Sequence, residues 1–120
     1  MKLLTSEIKK RLAKYPTYSQ DGKKKEAVAV CKFFLCQGAW TWYVLECDAE
    51  CNIAYGITIN GDGEGEYGYF SLPELQKVRT RFGLGVERDI YFKPTKLGDI
   101  KDDTYLKNFL SKLYDKEDEQ

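Results

Sequence analysis

Glu87, Arg88 and Asp89, followed by Lys93, form the grouping in this chain best suited to bond-breaking chemistry. Carboxylates beside a lysine can hold a divalent metal and orient a water for phosphodiester hydrolysis, and Glu46 or Glu66 from another strand could complete the set. The i, i+2 spacing of Glu87 and Asp89 puts both, with Tyr91, on one side of a strand. The same spacing describes a solvated face whose acids pair with neighbouring Lys or Arg, and that plainer reading is favoured. Glu87, Asp89 and Lys93 are therefore the catalytic candidates of a chain expected to act by binding, with no metal and no cofactor.

A second grouping is aromatic: Trp40, Trp42, Tyr43, Tyr67, Tyr69 and Phe70, backed by the cations Arg88, Lys93 and Lys96. Flat rings on a sheet beside cations suit single-stranded nucleic acid, since bases stack on rings at roughly 1–3 kcal/mol each while Lys and Arg follow the phosphates. Large aromatics in a small domain are more often core, and the part left exposed equally suits a protein partner. The 19 basic residues balance 19 acidic ones, so no overall field draws the chain to nucleic acid, and protein is the preferred partner. The expected binding residues are Trp40, Trp42, Tyr43, Tyr69, Arg88, Lys93 and Lys96, in a monomer or small homo-oligomer.

Other chemistries are restricted by what the chain contains. Histidine is absent, which removes the commonest general base and the commonest zinc ligand. Cys31, Cys36, Cys47 and Cys51 are spaced too loosely for the tight knuckles of a zinc ribbon. Free thiols are the favoured reading over zinc and over disulfides, because a cytoplasmic location is expected and that compartment is reducing. The glycine-rich run Asn60 to Gly65 lacks the lysine and following helix of a phosphate cradle, and Asp62 and Glu64 would repel an anion.

These groups must be positioned by an α+β arrangement. Thr5 can cap a first helix of about ten residues bearing Ile8, Leu12 and Tyr15 at helical spacing, ended by Pro16. Ala27 to Leu35 is apolar almost throughout, as a central strand covered on both faces. Trp40 to Glu46 alternates, with Trp40, Trp42, Val44 and Glu46 on one face, and Ile53 to Ile59 alternates strictly. Glu66 to Phe70 adds a short strand, and the gaps among these four are too short for helical crossovers, so they form an antiparallel meander. Ser71-Leu72-Pro73-Glu74 is a capping box for a helix to about Arg81, with Phe82 covering the sheet's end before Gly83 stops it. Val86 to Phe92 is read as a fifth strand with Val86, Arg88, Ile90 and Phe92 on one face. A final helix follows Asp103 with Leu106, Phe109, Leu110 and Leu113 on its apolar stripe.

At 120 residues, 42% hydrophobic and 32% charged, the chain is sized and composed as one globular domain, here residues 1–114, with 115–120 a flexible acidic tail. No run of about 20 apolar residues suits a membrane helix. Several blocks in order, Met1 to Thr5, Lys32-Phe33-Phe34, Trp40 to Val44 with Glu46 and Asp48, Gly68 to Leu72 with Glu74-Leu75, Glu87-Arg88-Asp89, and Phe92 to Leu97, together resemble a family of small uncharacterised proteins carried on plasmids, phages and conjugative transposons. The resemblance implies a mobile-element setting and brings no activity with it. The helix after Asp103 and the four cysteines lie outside it.

Overall fold

The computed structural model describes residues 1–115. Its centre is a five-stranded antiparallel sheet built from β2 (Cys31–Leu35), β3 (Trp40–Cys47), β4 (Ile53–Ile59), β5 (Gly65–Ser71) and β6 (Glu87–Arg88), in the spatial order β5-β4-β3-β2-β6. The meander of the four longer strands is present as the short gaps require. β1 (Val28–Ala29) pairs with β7 (Thr95–Lys96) in a separate two-stranded ribbon. Three helices complete the α+β domain: α1 (Ser6–Leu12), α2 (Leu72–Lys77) and α3 (Thr104–Tyr114).

Both faces of the sheet are covered, and each owns a core. One face presents Phe33, Trp42, Val44 and Ala54 to Ile8 and Leu12 of α1 and to Leu72 and Leu75 of α2. The other presents Tyr43, Leu45, Ile57 and Ile59 to Leu106 and Leu110 of α3, and to Ala27, Ala29, Leu97 and Ile100 from the ribbon and its flanks. Burying side chains on both faces of the middle strands leaves little of the sheet for any ligand.

The helix ends follow local chemistry. The Thr5 hydroxyl accepts from the Ile8 amide, Ser71 accepts from Glu74, and Asp103 accepts from Tyr105 and Leu106. The α2 helix stops at Lys77, short of Arg81, because Val78 turns extended and residues Arg79 to Gly85 form a small hairpin. Phe82 sits at its tip, 67% exposed, and does not cover the sheet.

Three further segments depart from simple periodicity. The apolar run 27–35 is interrupted at Val30, so its first part joins the ribbon and its second lies one strand from the sheet's edge, not at its centre. The fifth strand shrinks to Glu87–Arg88: a turn closed by the Phe92 amide on Asp89 follows, leaving Val86 buried, Ile90 exposed and Phe92 against Tyr43. Leu113, expected on the apolar stripe of α3, is exposed at the helix end. Asp115 caps α3 and pairs with Lys25, while residues 116–120, the rest of the expected tail, lie outside the described residues.

A bulge between Val44 and Glu46 has the largest effect on side-chain placement. The extra residue, Leu45, reverses the alternation, so Glu46 pairs across from Tyr55 and faces the α3 side, away from Trp42 and Val44. Gly56 sits opposite Val44 beside the bulge, and a Cβ there would stand 1.9 Å from the Tyr43 carbonyl oxygen. The strand can pack there only without a side chain.

Candidate functional site

The catalytic candidates do not assemble. Glu87 is exposed on β6, and Glu66 is exposed on β5 at the opposite edge, about 19 Å away across four strand spacings. Glu46 is 2% exposed, and its two oxygens accept the Tyr18 and Gln20 amides, each at 2.8 Å. Asp89 lies 4.0 Å from Lys32 Nζ and accepts the Tyr91 amide at 3.0 Å. Among the described residues, no group of three Asp, Glu, Cys or His side chains is placed to hold a metal ion.

The expected binding face also divides. Trp42 and Tyr43 are 8% and 0% exposed, sealed by the layers on either side of β3, and cannot contact a partner. The Tyr43 hydroxyl is spent inside the protein, donating to Asp103 Oδ2 at 2.6 Å and tying the sheet to the start of α3. Burial first, and the bond to Asp103 second, hold that phenol far above its ordinary pKa. Tyr69 is exposed on β5, whereas Arg88 is on β6 at the other edge, with its guanidinium donating to the Lys2 carbonyl. Lys96 is exposed but paired with Glu26 at 2.7 Å. Trp40 stays partly open, its ring stacked on Trp42 with centroids 5.9 Å apart, and Lys93 is exposed.

Trp40 and Lys93 belong to two adjoining surface grooves that share Asp89 and Asp102. One, of about 520 Å³, is lined by Trp40, Tyr105, Phe34 and Leu35 with Lys32 and Asp103. The other, of about 450 Å³, is lined by Tyr91, Phe92 and Ile100 with Lys93, Lys101 and Asp99. Together they bring the β6–β7 turn, the end of the β2–β3 hairpin and the start of α3 to one place. Across the two linings stand four carboxylates, Asp89, Asp99, Asp102 and Asp103, and three lysines, Lys32, Lys93 and Lys101. Sequence reasoning placed Tyr91 beside Glu87 and Asp89 but missed Asp102 and Tyr105, because nothing in local spacing shows that they meet Trp40 about sixty residues away.

The cysteines behave differently from expectation. Cys47 and Cys51 are joined as a disulfide across the Asp48 to Cys51 turn, with Cα atoms 5.2 Å apart, while Cys31 and Cys36 are free. The turn brings the pair together: Asp48 accepts the Asn52 and Ile53 amides, and Cys51 adopts φ 54°. Free thiols therefore describe only Cys31 and Cys36. Burial pushes the Cys31 thiol up to about 12, whereas Cys36 is exposed.

The architecture defines the protein as a three-layer α+β domain with helices on both faces of an antiparallel sheet and an aromatic, charge-lined groove at one edge. Within that class, residues 3–99 match the family described as protein of unknown function (DUF2958), and the chain belongs to it. The α3 helix lies beyond the matched residues. No curated protein and no solved structure matches the chain. Among the described residues, no helix is long and apolar enough to cross a membrane.

Proposed function

We propose that this chain is a non-catalytic accessory protein of mobile genetic elements that binds a protein partner in the paired grooves meeting at Asp89 and Asp102. The single observation carrying the reading is the convergence of exposed aromatic side chains with mixed charge. Tyr91 is 87% exposed, Tyr105 56% and Trp40 39%, around concave volumes of a size that accepts a partner's side chains. The partner segment is apolar or aromatic, flanked by basic residues. Four carboxylates against three lysines give phosphate groups no electrostatic gain there, so the same rings serve protein better than single-stranded nucleic acid. The mobile-element setting comes from the resemblance of the sequence blocks, and Trp40, Arg88 and Lys93 remain at or beside the surface.

The test uses a photo-crosslinking residue placed singly at Tyr91, Tyr105 or Tyr69, exposed in cells that carry the protein. One protein species crosslinked from positions 91 and 105, not from 69, and lost on Asp102→Lys, is the expected result. Crosslinking from 69 alone, or oligonucleotide binding that falls steeply with salt and is lost in Trp40→Ala, would overturn the reading.

A further inference from the structure

On the α3 side of the sheet, at the edge away from the grooves, Tyr55, Tyr67 and Tyr114 surround a cavity of about 160 Å³ whose floor includes Glu46. We propose that this cavity is a binding site for a methylated ammonium group, with the three tyrosine rings as walls and Glu46 and Asp21 as the neutralising carboxylates.

The geometry supports it from several directions. The Tyr55 and Tyr67 rings lie nearly parallel, 15° apart with centroids at 6.1 Å, and the Tyr67 and Tyr114 hydroxyls are hydrogen-bonded at 2.8 Å, which fixes the third ring. Tyrosine rings attract a cation placed over their faces through their quadrupoles, most strongly when water is excluded. Glu46 is a buried carboxylate whose hydrogen bonds, among the described residues, are to the Tyr18 and Gln20 backbone amides. Among the described residues, no lysine or arginine stands within ion-pair distance of it. A buried charge without a counter-ion is costly, and a bound cation relieves that cost. Burial chiefly, then the negative charges of Glu46 and Asp21, raise the Tyr55 pKa. Lys24 also lines the cavity, its ammonium 6.0 Å from the Tyr114 centroid, at the outer limit of cation–π contact, and among the described residues it makes no ion pair with Glu46 or Asp21.

The choice of a methylated group follows from the acceptors. The phenols of Tyr67 and Tyr114 bond each other and both Glu46 oxygens already accept an amide, so the exposed Asp21 carboxylate is the main acceptor left for the three N–H donors of a bare ammonium. Methyl groups on the nitrogen need no acceptor and fill the apolar walls. The volume suits a single headgroup and is well below that of drug-sized sites. Such a headgroup can come from a free choline-like solute or from a methylated lysine side chain.

The experiment is an amide and tyrosine-ring NMR titration of the full chain with choline, with N-acetyl-trimethyllysine amide, and with 3,3-dimethylbutanol, the neutral isostere of choline. Saturable shifts centred on Tyr55, Tyr67, Tyr114 and Gly22, with choline or the trimethyllysine compound binding roughly tenfold or more tightly than the isostere, are expected. Binding of both cations shows that the headgroup alone is read; binding of only one identifies its source. Tyr67→Leu should weaken binding at least tenfold, and Asp21→Asn, an exposed position that leaves the core intact, about twofold. Equal affinity for the isostere, shifts mapping elsewhere, or no shift with either cation would overturn the proposal.

Discussion

Replacing Glu46 by Gln tests whether this acid is an anchor of the fold. The bulge at Leu45 turns its carboxylate inward, where it accepts the amides of Tyr18 and Gln20 at 2.8 Å each. Gln20 in turn donates to the Val28 and Leu45 carbonyls and accepts the Val28 amide, so one carboxylate holds the loop after α1, the bulge and β1 together. Gln keeps one acceptor and turns an NH2 group toward the other amide. A buried donor left without a partner costs about 1–3 kcal/mol, and the retained bond loses its charge assistance. The lower desolvation of a neutral side chain offsets part of this, leaving a net loss of about 2–3 kcal/mol. For a domain of this size that corresponds to a fall in Tm of roughly 10 °C by differential scanning calorimetry. Glu66→Gln, on the exposed edge strand, should stay within about 0.5 kcal/mol of the parent. A Glu46→Gln melting temperature equal to that of Glu66→Gln, with unchanged amide-exchange protection at Tyr18 and Gln20, would refute the anchoring argument.

Gly56 and Gly68 are paired directly across β4 and β5, yet a Cβ at Gly56 would collide with the Tyr43 carbonyl while one at Gly68 would meet nothing within 4 Å. Gly56→Ala should therefore cost several kcal/mol in urea denaturation, and Gly68→Ala should be neutral or stabilise by about 0.5 kcal/mol; equal effects would sink the packing account. The hydrogen bond from Lys25 holds the Asp115 carboxyl below its usual 3.8, so its stabilising contribution is present above that value and lost as pH falls through the depressed one. Acid titration should loosen the end of α3 below about pH 4, read from amide exchange, and Asp115→Asn should remove that dependence. In the disulfide-bonded protein, one thiol, Cys36, should react rapidly with Ellman's reagent at pH 8, whereas Cys31, with a thiolate fraction of roughly one in ten thousand, should react only on unfolding. Two fast thiols would contradict the burial of β2.

What was legible in the sequence is what depends on local period and capping. Strict alternation in Ile53–Ile59, the Ser71–Glu74 box and the Leu106, Leu110 stripe each appear where their spacing puts them. The segments that depart do so where tertiary contacts outweigh pattern. Val86 to Phe92 alternates plausibly, but Asp89 closes a turn on Tyr91 and Phe92 and ends the strand. The face occupied by Glu46 depended on a bulge that alternation cannot reveal, and its one local trace was a glycine, Gly56, in the middle of a strand rich in β-branched residues.

The candidate site shifted for a reason that follows from the two cores. Reading Trp42, Tyr43, Tyr69 and Arg88 as one surface assumes a sheet with an open face. α3 closes that face: the rings of Tyr105 and Phe109 sit where Cβ atoms on Gly63 and Gly65 would be, and Tyr43 is bound to the helix cap. The two glycines leave the β4–β5 loop able to receive the helix. Once both faces are occupied, what the sheet itself offers a ligand lies along its edges. One edge presents a tyrosine-walled cavity over a buried carboxylate, and the other presents the groove around Asp89. The strand order β5-β4-β3-β2-β6 keeps them apart, so substitutions at one should leave ligand binding at the other intact.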